Sequence, residues 1–68
     1  MSYTVIIKKG TKSYGAYVPD LPGCIAAARS RAQVELLIRE AIAMHVEDLR
    51  ASGQPVPRPR SQAIAIAA

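Results

Sequence analysis

Two prolines three positions apart fix more of this chain than any other feature. They lie in Val18-Pro19-Asp20-Leu21-Pro22-Gly23-Cys24. Each proline locks φ near −65° and lacks a backbone donor, so neither can sit inside a paired strand. Each also biases the residue before it, Val18 and Leu21, towards extended geometry. Gly23 allows a turn with positive φ before Cys24 opens a new strand. The stretch therefore reads as a rigid reversal between two strands, with Asp20 either capping the turn through its side chain or facing outward to a partner.

The flanking sequence supplies the strands. Tyr3–Lys8 is β-branched and aromatic and reads as a first strand, with Tyr3, Val5 and Ile7 on one face and Thr4, Ile6 and Lys8 on the other. Gly10 carries the turn. The second strand, Ser13–Val18, sets Tyr14, Ala16 and Val18 opposite Ser13, Gly15 and Tyr17. Gly15 inside it predicts a bulge or a close backbone approach. Cys24–Ala28 is a short third strand.

Ser30 is a good N-cap for a helix from Arg31 to about Ser52, and Gly53 ends it. At about 100° per residue, Val34, Leu37, Ile38, Ala41, Ile42, Met44, Val46 and Leu49 cover half the circumference or more. A helix lying on one sheet needs a stripe only about 100° wide. The surplus predicts deep cover or a second helix from another subunit. Leu36 falls on the polar side as a candidate assembly contact. His45 lies within the apolar arc and reads as a packing residue.

Beyond Gly53, the prolines at 55, 57 and 59 favour an extended path. The segment 61–68 then alternates alanine and isoleucine and reads as a last strand. Its apolar residues, Ile64 and Ile66, share a face. An uncharged edge strand is a surface that proteins seldom leave bare, so pairing with a second subunit is expected.

Sixty-eight residues make one small domain, 1–68, with a thin core. A single cysteine and a single histidine exclude an internal disulfide and argue against a structural zinc site. No cofactor is expected. Self-association is left as the support. No run is long enough to span a membrane, and the N-terminus has no leader pattern; a soluble cytoplasmic protein is expected. Asp20, Cys24 and His45 are the reactive candidates for catalysis, and no spacing joins them into a working set, so no enzyme is expected. Nine Lys and Arg against five Asp and Glu give a formal charge of +4. The basic residues Lys8, Lys9, Lys12 and Arg29 admit a nucleic-acid reading, although three tyrosines are a poor supply for base stacking.

Four features in order resemble the HicB-like domain, the antitoxin fold of HicA–HicB toxin–antitoxin pairs. They are the hairpin ending Ala16-Tyr17-Val18-Pro19-Asp20-Leu21-Pro22-Gly23-Cys24, the helix with Glu40-Ala41-Ile42, the exit Gly53-Gln54-Pro55-Val56-Pro57-Arg58-Pro59, and the final short strand. The resemblance implies an α+β fold of order β-β-β-α-β, with one long helix on a small antiparallel sheet, similar to a truncated ribonuclease H fold. It also implies dimers or tetramers, and a HicA-type RNase toxin as partner.

The chain departs from the family at Ala28-Arg29-Ser30 and Ala32-Gln33-Val34, and at Leu37, where Asn is common. The expectation is a stand-alone short member without a DNA-binding domain, so direct nucleic-acid binding is not expected of it. Because such toxins are basic, the acidic side of the helix is the complementary surface. The candidate partner contacts are Tyr17, Asp20, Glu40 and Glu47. Those for self-association are Ile64, Ile66, Leu36 and Met44. The alternative is a toxin-less oligomeric regulatory domain.

Overall fold

Alternation along the N-terminal strands decides which side chains meet the helix. In the computed structural model, which describes residues 2–67, β1 (Ile6–Lys9), β2 (Tyr14–Tyr17) and β3 (Ile25–Ala28) precede α1 (Arg31–Ala51). The strands form one antiparallel sheet in the order β1-β2-β3. Three antiparallel strands followed by one long helix give the expected α+β architecture.

Ile7, Ala16 and Ala26 stand in register across the sheet, and so do Ile6, Tyr17 and Ile25. The first row faces α1. The second faces solvent, where Ile25 is 71% exposed and Tyr17 39%. The core consists of Ala16, Val18, Leu21, Cys24, Val34 and Ile38, with Tyr3, Val5, Ile7, Tyr14, Ile42 and Val46 packed around it. Three of those six buried residues come from the double-proline stretch, which is thus part of the core as well as a connector.

The stretch is two β-turns in tandem. Leu21 N–H donates to Val18 O (3.1 Å) and Cys24 N–H to Leu21 O (3.0 Å), while Val18 N–H donates to Cys24 O (3.2 Å) and closes the pair. Each proline occupies the second position of its turn, where φ near −65° is required. Gly23 has φ +84°, which makes the second turn type II and reserves that position for glycine.

The helix is capped at both ends. Gln33 N–H donates to Ser30 Oγ at 3.1 Å. At the other end, Gly53 (φ +73°) N–H donates to Arg50 O (3.1 Å) and Gln54 N–H to Leu49 O (2.8 Å), a Schellman closure. Arg31, unfavourable beside the N-terminal dipole, pairs with Glu35 at 3.1 Å.

Two expectations change. Gly15 marks neither a bulge nor a close approach. The ladder runs unbroken through Lys8, Gly15 and Ala27, and a methyl group there would meet nothing within 4 Å. The last strand does not form within the chain. Residues 61–67 pair with no strand and Ala68 lies outside the described residues; Ile64 is 79% exposed and Ile66 80%. An uncharged strand pattern gives strand propensity, but a strand exists only where a ladder partner is present.

Candidate functional site

Asp20 holds the C-terminal segment to the turn. One carboxylate oxygen accepts from Arg60 N–H and Ser61 N–H, both at 2.8 Å, and the other from Ser61 Oγ–H at 2.8 Å. Pro19 and Pro22 fix the turn, so the carboxylate is aimed before the segment arrives. Two further bonds run alongside: Tyr3 Oη–H donates to Pro57 O at 2.5 Å, and Thr4 Oγ1–H to Ser61 O at 2.7 Å. The backbone donors of Ser61 and Arg60, then the Ser61 hydroxyl, hold the Asp20 carboxyl below the ordinary carboxylate range. Asp20 therefore does not cap its own turn. Its bonding capacity goes to residues 40 and 41 positions away.

Cys24 is buried, and desolvation pushes its thiol up, the opposite of what a nucleophile needs. His45 is half-buried. Among the described residues, no cluster of His, Cys, Asp and Glu is placed to hold a metal ion. No helix among them is long and apolar enough to cross a membrane.

The outer face of α1 carries the residues that remain. Steps of four and three put Leu36, Glu40, Met44 and Glu47 along one ridge. Leu36 is 58% exposed and Met44 64%, and both glutamates are exposed. Leu37, 41% exposed, widens the apolar part, which meets a shallow depression lined by Ala27, Ala28, Gln33, Leu36 and Leu37. Sequence reasoning assigned the glutamates to a partner and the apolar pair to self-association; the helix brings all four together.

Tyr17 is not with them. It lies on the open face of the sheet, on the far side from α1, with Lys8 Nζ 5.9 Å from its ring centroid. Ile64 and Ile66 form a third location, in the C-terminal segment. Sequence reasoning missed Ile25, which extends the Ile6–Tyr17 row on the open face. The signal was the register itself, since Cys24 facing the core obliges Ile25 to face out.

A long helix over a three-stranded antiparallel sheet makes the chain a small α+β domain. A chain of the HicA3 and HicB3 toxin–antitoxin complex superposes with a TM-score of 0.73 at 33% identity, over 87% of this chain and 70% of that one. The chain belongs to the family described as HicB-like antitoxin of bacterial toxin–antitoxin system, which matches residues 3–68. Relatives include UPF0150 protein Ta0767 of Thermoplasma acidophilum, 35% identical over 97% of both chains. Another is an uncharacterized 14.9 kDa protein of the rep-hol intergenic region of Haemophilus phage HP1. It is 33% identical over 85% of this chain, which spans 44% of that relative.

Proposed function

We propose that this protein is the antitoxin of a small HicA-type RNase toxin and neutralises it in the cytoplasm by protein–protein contact through the outer ridge of α1. The observation that carries this reading is the ridge, two exposed carboxylates set among exposed Leu36, Leu37 and Met44. The chain as a whole is at +4, so attraction for a basic toxin has to be local, and the ridge concentrates acid where the apolar contact area is. Charge of this kind sets encounter rate and partner choice, while the apolar residues hold the contact.

Calorimetry with the HicA-type protein encoded next to this chain tests the proposal. The double substitution Glu40→Lys with Glu47→Lys is expected to weaken binding at least about tenfold, or about 1.4 kcal/mol. Unchanged affinity would move the contact off α1, and failure of the unsubstituted chain to bind would remove the toxin reading. The exposed Ile64 and Ile66 favour a second reading, an oligomeric regulatory domain without a toxin. A nucleic-acid module built on Lys8, Lys9, Lys12 and Arg29 would instead show affinity falling steeply with salt.

A further inference from the structure

Helix α1 lies over β2 and β3 and leaves the flank of β1 open. A groove runs there between β1 and the helix, lined by the apolar Val5, Ile7 and Ile38 and by the charged Lys9, Arg31, Glu35 and Arg39. The outer edge of β1 is unpaired. The molecule thus has an open strand edge beside a groove with Val5, Ile7 and Ile38 at its floor and charged residues along it. It also has a segment of strand character, 62–67, lying exposed and unpaired.

We propose that the groove beside β1 receives the C-terminal segment of a second copy of this chain, so that two copies exchange segments across a two-fold axis. Length fits: six residues extend to about 20 Å, enough to cover the roughly 13 Å of a four-residue β1. Chemistry fits as well. Ile64 and Ile66 share one face, which would enter the groove beside Val5 and Ile7, while the alanines would face the Lys8 side of the sheet. The segment carries no charge, so it adds no repulsion to a chain already at +4.

Shape and area point to a second copy rather than a folded-back segment. The clamp of Asp20 on Ser61 sends the residues beyond it out into solvent. The radius of gyration is 13.0 Å, against about 11 Å for a compact chain of this length. The accessible surface is 5421 Å², against about 4,200 Å² for a compact monomer of this mass. The surplus of roughly 1,200 Å² exceeds the approximately 800 Å² each partner buries in a standard interface. Reciprocal exchange is isologous and closes at two copies.

Light scattering of the unsubstituted chain at micromolar concentration is expected to give a dimer. Ile64→Lys with Ile66→Lys is expected to weaken it at least tenfold while the helical circular dichroism is kept. A monomeric unsubstituted chain, or an undiminished dimer in the double variant, would overturn the proposal. A second measurement fixes the pairing. One population carries Ala63→Cys, Ala65→Cys or Ala67→Cys and another carries Lys8→Cys, and the two are mixed and oxidised. A mixed disulfide is the expected product. Its absence, or disulfides only between two C-terminal segments, would overturn the β1 seat.

Discussion

Leu21 is wholly buried between the two turns that Pro19 and Pro22 make. Leu21→Ala is expected to cost about 2–5 kcal/mol, read by denaturant unfolding. Asp20→Asn is expected to free the C-terminal segment without unfolding the sheet, because the amide cannot accept all three donors. The readout is the loss of the distinctive Arg60 and Ser61 amide shifts. Acid should do the same. The folded Asp20 pKa lies below its ordinary 3.8, so the clamp's contribution is complete above that value and lost as pH falls through the lower, folded one. At the residue scale the sequence was legible wherever backbone stereochemistry decides, as at Pro19, Pro22 and Gly23. The Asp20 partners were not legible, because residues 40 positions apart in sequence meet only through the fold.

The helix is the element read most fully from sequence. Ser30, the periodic apolar residues and Gly53 are local signals, and they set both ends to within a residue. Ser30→Ala is expected to cost about 1 kcal/mol. Gly53→Ala, forced to positive φ, is expected to cost about 1–2 kcal/mol, with both values read by thermal unfolding. The first three strands were legible in existence and facing, but each is shorter than the run that predicted it. Tyr3, Val5 and Val18 keep their faces and lie outside the ladder. The last strand shows the limit: Ile64 and Ile66 have the pattern, and a pattern cannot supply its own hydrogen-bond partner.

At the scale of the molecule, the six buried residues among the described residues 2–67 are a small core. The helix's apolar arc is broader than the sheet covers. Val34 and Ile38 face the sheet while Leu36, Leu37 and Met44 face solvent. Which exposed face meets which partner was not legible, since each is an ordinary amphipathic surface until the sheet order shows what it borders. Glu40 lines no part of the β1 groove, whereas Glu47 lines the depression beside Tyr3, Ile42 and Val46. The single variant Glu40→Lys is therefore expected to keep its oligomeric state in light scattering while its toxin affinity falls.

The Asp20 clamp also sets where the molecule bears mechanical load. Tension applied at Ala67 reaches Ser61 first and passes through Asp20 into the two fixed turns. From there it enters the core at Leu21, bypassing the Schellman closure at Gly53. The helix C-terminus is shielded from pulling for as long as three short hydrogen bonds hold, and a force measurement on the Asp20→Asn variant should find that shielding gone.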